Sequence, residues 1–134
     1  MTLAPSSPFL VYGPFLSPNV SVGVVITAPA LTDPTDGTPT AEGAEDATVD
    51  TDVGNGALYW AVVSDGGECT DAQLKSGSGG DIEAAGAQGV SGTGTQTVAE
   101  ITGLESATAY QIKFLHTSAG GSDSAQASVD LTTA

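Results

Sequence analysis

Apolar and polar residues alternate in short runs along most of this chain. Tyr110, Ile112 and Phe114 fall on one side of such a run, Gln111 and Lys113 on the other. Period-two patterning of this kind predicts a strand with one buried face, here over Ala109 to Thr117. Upstream, Val98 and Ile101 mark a partner strand over Thr95 to Ile101, and Leu104 closes it six residues before Tyr110. Ala47 to Asp52 alternates and runs into Gly54-Asn55-Gly56, a tight-turn signal. Ala57 to Ser64 is almost continuously apolar, which predicts a central strand. Either Leu58, Trp60 and Val62 or Tyr59, Ala61 and Val63 point inward, and the Trp60 set is preferred. Ser64-Asp65-Gly66-Gly67 turns the chain. Thr70 and Gln73 have the spacing of a capping box, and Gly77 follows as a stop, so a helix of one or two turns is expected there. Ile82 to Ala87 reads as a weak edge strand within a Gly- and Ser-rich stretch. Ser124 to Thr133 supplies the last strand, with Ala125, Ala127, Val129 and Leu131 on one face, after a loop at Ala119 to Asp123.

The first third of the chain has a different pattern. No Asp, Glu, Lys or Arg precedes Leu31, and all seven prolines fall within the first 39 residues. Pro5, Pro8, Pro14 and Pro18 exclude a helix and favour extended backbone. Between and after them stand Phe9, Leu10, Tyr12, Phe15 and Leu16, then Val20, Val22, Val24 and Ile26 in alternation. This predicts an extended, apolar, Pro-rich arm with a strand-forming end. Asp33 to Gly43, with Asp33-Pro34, Asp36-Gly37 and Thr38-Pro39, reads as a linker. The chain thus divides into arm and linker over residues 1–39 and a strand-rich domain over residues 40–134. An uncharged apolar arm either folds back over its own domain as an added strand or docks on another subunit. The second is expected, because the arm is as apolar as a core while its neighbour is strongly acidic.

Composition sharpens this. Sixteen acidic residues face two lysines, Lys75 and Lys113, for a formal net charge of −14. Such a surface repels phosphate backbones and anionic membranes, so neither nucleic acid nor membrane is expected as a partner. The acidity fits either simple solubility or a saline setting that screens it. The single cysteine, Cys69, excludes a disulfide within the chain. The longest apolar run, Val20 to Leu31, is too short to span a membrane and carries Pro29. No secretory pattern is visible, and the chain reads as a complete cytoplasmic product. His116 is the only histidine, expected as a surface or boundary residue. Neither it nor Cys69, Ser118 or Asp123 forms a recognisable catalytic set. Asp50 and Asp52 offer two carboxylates to Ca²⁺ but lack the spacing of a calcium loop. No enzyme activity, cofactor or metal is expected.

Thr102-Gly103-Leu104, Thr108-Ala109-Tyr110, Ile112 and Phe114, with Gly120-Gly121-Ser122 and the closing Val129 to Thr133, resemble a fibronectin type III-like or immunoglobulin-like domain. The likeness covers about Thr40 to Ala134, and the Leu104–Tyr110 spacing resembles a tyrosine corner. It implies an all-β sandwich of about seven strands with one short helix, in which Trp60, Leu104, Tyr110, Ile112 and Phe114 determine the fold. Trp60 lies one strand later than in the common pattern. Similar domains occur in phage virion proteins and bacterial surface proteins, as binding or spacer modules. The expectation is therefore a non-enzymatic structural protein, most specifically a phage capsid decoration protein found in the virion. Phe9, Leu10, Tyr12, Phe15, Leu16, Val20, Val22, Val24 and Ile26 of its arm would dock on major capsid protein or other virion subunits, with the protein itself a homo-oligomer or lattice-bound multimer. The alternative is an extracellular or cell-surface adhesion or carbohydrate-binding module that uses loops Gly77 to Gly94 and Ser118 to Asp123.

Overall fold

Residues 28–134 are described by a computed structural model of the chain. They build antiparallel strands and one short helix. In chain order these are β1 (Leu31–Thr35), β2 (Thr38–Thr40), β3 (Gly43–Glu45), β4 (Thr48–Thr51), β5 (Ala57–Ser64), α1 (Asp71–Ser76), β6 (Ile82–Gly89), β7 (Gly94–Thr97), β8 (Ala109–Thr117) and β9 (Ala127–Thr132). One sheet has the order β1-β4-β7, a second the order β6-β5-β8-β9, and β2 pairs with β3 as a short ribbon. The arrangement is sandwich-like. Val49 of β4 meets Leu58, Trp60, Val62, Ile112, Phe114 and Leu131 of the larger sheet in one apolar cluster. Ala44 of β3 and Ala47, Val90, Val98, Ile101 and Leu104 of the connections close it.

The alternation on β8 works as the sequence predicts. Tyr110, Ile112 and Phe114 are buried in that cluster, while Gln111 and Lys113 are only partly covered. Strand β5 uses both faces, which explains its continuous hydrophobicity. Leu58, Trp60 and Val62 enter the main cluster, and Ala61 enters a second one with Leu74 and Leu115. The helix makes this second layer possible. Thr70 caps it by accepting from the Gln73 backbone N–H at 3.2 Å, and the Gln73 side chain accepts from the Thr70 N–H at 3.0 Å. Gly77 ends it in the left-handed conformation at φ 74°. Leu74 is its one buried residue, laid against the outer face of β5 and β8.

Several expectations fail in detail. The Asp33 to Gly43 stretch is not a bare linker. It holds most of β1, all of β2 and the start of β3, with Leu31 opposite Thr51 and Thr35 opposite Thr48. Turn-forming residues hid this. Asp33 takes φ 49°, and the register shifts between Thr32 and Thr35, so Pro34 sits in an irregular edge strand where its missing N–H costs no ladder bond. The strand expected over Thr95 to Ile101 stops at Thr97, beyond which Ile101 makes only a single bridge to Ala44. The last strand begins at Ala127, and Ala125 is exposed.

Leu104 and Tyr110 do meet as a corner. Leu104 N–H donates to the Glu42 carbonyl at 2.9 Å, and the Glu105 N–H donates to the Tyr110 hydroxyl at 3.0 Å. The phenol thereby satisfies a backbone donor in the β7–β8 connection that no strand can reach. Tyr110→Phe is expected to lower unfolding free energy by about 0.5–1.5 kcal/mol, measured by urea denaturation. Stability equal to wild type would show that the bond adds nothing.

Candidate functional site

The strand registers define two ends of the domain, and these differ sharply in charge. At one end Leu31 pairs with Thr51, Thr51 with Gly94, and Ala57 with both Gly89 and Thr117. The loops there are Asp52 to Gly56, Val90 to Thr93 and Ser118 to Asp123. At the other end Thr48 pairs with Thr97, Ser64 with Tyr110, and Ala109 with Thr132. Its connections carry Asp36, Glu42, Asp46, Asp65, Glu68, Asp81, Glu100 and Glu105, with Glu45 at the end of β3, and no lysine. The first end carries only Asp52 and Asp123.

Both of these carboxylates are engaged. Asp123 lies 2.8 Å from the Lys75 ammonium at the last turn of α1 and also accepts from Thr117 Oγ1 at 2.7 Å. The lysine bond first, and the threonine bond second, hold its carboxyl below the usual range, while the same contact raises Lys75. Asp52 Oδ1 accepts from the Ala30 N–H at 2.8 Å. That bond ties down the root of the arm. Beside it Pro29 is buried and Leu31 packs against the main cluster. The first described residues are therefore fixed at the charge-poor end.

The loops of this end are small and polar, and they are held by their backbones. Gly54 approaches Gly92 so closely that a Cβ on Gly54 would stand 3.1 Å from the Gly92 Cα. Gly56, at φ 89°, abuts the Thr117 carbonyl, and a Cβ there would overlap it. His116 binds the loops together. It is fully buried, against the surface or boundary position that the sequence suggested. One ring nitrogen, Nε2, lies 2.6 Å from the Asn55 carbonyl, and Nδ1 lies 2.7 Å from Thr51 Oγ1. A carbonyl only accepts, so Nε2 carries the hydrogen and donates, and in the neutral ring Nδ1 accepts from the threonine hydroxyl. The backbone of His116 exchanges bonds with Ser124, through the hydroxyl at 2.9 Å and the N–H at 2.8 Å. The Asn55 side chain then accepts from the Ala119 N–H at 2.8 Å. One imidazole thus fastens the end of β4, the β4–β5 turn and the end of β8.

These contacts bear on the chemistry considered for the sequence. With both ring nitrogens engaged, His116 is not free to serve Cys69 or Ser118 as a base. Burial pushes the Cys69 thiol up, away from the nucleophilic thiolate. Asp50 is taken by the Thr95 hydroxyl at 2.7 Å and Asp52 by Ala30. Among the described residues, no three His, Cys, Asp or Glu side chains are grouped to hold a metal ion. A shallow cleft at the acidic end is lined by Glu42, Glu45 and Glu100 with Thr40, Ala41 and Thr102.

Trp60, Leu104, Tyr110, Ile112 and Phe114, the residues expected to determine the fold, all lie in the main cluster. The arm residues Phe9, Leu10, Tyr12, Phe15, Leu16, Val20, Val22, Val24 and Ile26 lie outside the described residues. Sequence reasoning missed Pro29, Ala30, Asp52 and His116 as the anchor of the arm end. The available signal was the contrast between loops of Gly, Ser and Asn and loops rich in Asp and Glu. It becomes legible only once strand pairing assigns each loop to an end. Comparison of the chain with protein-family models and with curated proteins yields no match.

Proposed function

We propose that this chain is a non-enzymatic structural protein of a virus-like assembly, a capsid decoration protein whose arm docks on neighbouring subunits. Its body is read as a fibronectin type III-like or immunoglobulin-like sandwich. The strand order supports that reading, since β4 pairs with β7 in one sheet while β5, β8 and β9 adjoin in the other, with β6 added at the β5 edge. The Tyr110 corner supports it too.

The observation that carries the functional reading is the segregation of charge about the arm. Ala30, to which the arm connects, is bonded to Asp52 at the end where both carboxylates are engaged. Most of the acids lie toward the opposite end. An element docked by its arm would present its charge-poor end to the partner and its anionic end to solvent. Buried apolar arm side chains would each contribute about 1.5–3 kcal/mol, reduced by the ordering cost of about 1–2 kcal/mol per residue. Multiple docked copies would stabilise a shell by mass action. The loops at the charge-poor end contain no aromatic residue on which a sugar ring would stack, so nothing favours carbohydrate binding there.

The test is co-sedimentation with undecorated shells of the virus that encodes the chain. The full chain is expected to travel with the shells. A chain shortened to begin at Ala28 is expected to stay unbound while keeping its β-sheet circular dichroism. Undiminished binding of the shortened chain would overturn the proposal.

A further inference from the structure

The larger sheet has two edges, and they are unequal. Strand β9 also ends the sheet, but β1 of the facing sheet lies close along it without pairing with it. Among the described residues β6 has β5 on one side and no strand on the other. It is eight residues long, and every residue from Ala84 to Gly89 is Ala, Gly or Gln. Natural edges are protected by proline, lysine, irregularity or shortness. Edge strand β1 has Pro34 and a register shift, and edge strand β7 is only four residues. Strand β6 has neither proline nor lysine, and its irregularity is confined to its start, near Ile82. Its small side chains also leave its flank shallow. Gly86 lies directly over the indole of Trp60, where a Cβ would stand 2.5 Å from Cζ2.

The same chain holds a segment suited to that edge. Val20 to Thr27 matches β6 in length, carries no charge, and places Val20, Val22, Val24 and Ile26 in alternation. It cannot pair along its own β6. Only four residue steps separate Thr27 from Leu31, a reach of about 14 Å at full extension. Strand β1 lies beside β9, and a strand added beyond β6 lies four sheet spacings away, about 19 Å. We infer that Val20–Thr27 of one copy adds as a strand to the β6 edge of a second copy. This rests on reading the arm as a docking element, and it names the acceptor. Backbone bonds to the open edge supply the attachment, and alternate valines cover the thin flank over Trp60.

Hydrogen exchange of the full chain tests this. In concentrated solution the outward amides of β6 exchange slowly, and dilution by about 100-fold restores fast exchange as the copies separate. Proximity is tested by a short bifunctional maleimide on mixed chains in a Cys69→Ser background. Val24→Cys chains are expected to cross-link to Ala87→Cys chains and not to Thr132→Cys chains, whose cysteine is on the β9 edge. Exchange in β6 that ignores concentration, or equal cross-linking to both positions, would overturn the inference. If either occurs while the arm is still required for shell binding, the assignment to β6 falls and the docking role stands. Shell binding that survives removal of the arm removes the docking role itself.

Discussion

Phe114→Ala is expected to lower the unfolding free energy by about 3–5 kcal/mol, among the largest losses from a single truncation in this domain. Phe114 is fully buried, and it sits where β8 pairs with Trp60 on one side and Ala127 on the other. Its ring is therefore central in the larger sheet and points between the two sheets. Removing it deletes apolar burial and leaves a cavity. The walls cannot close on that cavity, because β8 is held by ladders on both edges. Against a typical domain stability of about 5–15 kcal/mol, such a loss consumes a large fraction of the total. Urea denaturation followed by Trp60 fluorescence would measure it. A loss under about 1 kcal/mol would mean that the two sheets are not packed face to face around this ring.

His116→Leu is expected to cost about 1–3 kcal/mol, and to loosen one end of the domain selectively. Leucine fills similar space but leaves the buried Thr51 hydroxyl without its acceptor and the Asn55 carbonyl without its donor. The effect is local, since the opposite end relies on Tyr110, Thr133 and the Ala134 N–H bond to Thr40. Amides of Asn55 to Gly56 and Ser118 to Ser122 should exchange faster, and those of Leu104 to Ala107 should not change. Thr51→Val with His116→Leu should cost less than the two singles added, because each single strands a partner that the double removes. Strict additivity, or equal loosening at both ends, would contradict the proposed role of the imidazole. The outcome bears on docking as well. The fixed root of the arm rests on Asp52, next to Thr51, so slack in this network should propagate to the point from which the arm departs.

Local pattern carried the fold where one residue decided one structural fact. Alternation over Tyr110 to Phe114 identified β8 and its buried face, because a strand that is wet on one side leaves a period of two in the sequence. Thr70, Gln73 and Gly77 bounded α1, because caps are satisfied within a few residues. The same local logic misread Asp33 to Gly43. Asp-Pro and Asp-Gly are turn signals, yet this stretch is held in strands by partners such as Thr48 and Glu45. His116 escaped for a related reason. Its partners Thr51 and Asn55 are more than sixty residues away, so no local pattern could show that both ring nitrogens are engaged.

For this protein, the sequence alone determined an all-β body, its short helix, the faces of its main strands, and the separation of an uncharged leader from an acidic remainder. Those properties are written in nearest neighbours and composition. Tertiary structure alone decided which loops share an end, and hence that the acids gather opposite the root of the arm. It also decided that a lone histidine is a buried fastener, and that β6 ends the larger sheet as an eight-residue strand. Each of these depends on strand order, which is set by contacts between residues far apart in the chain.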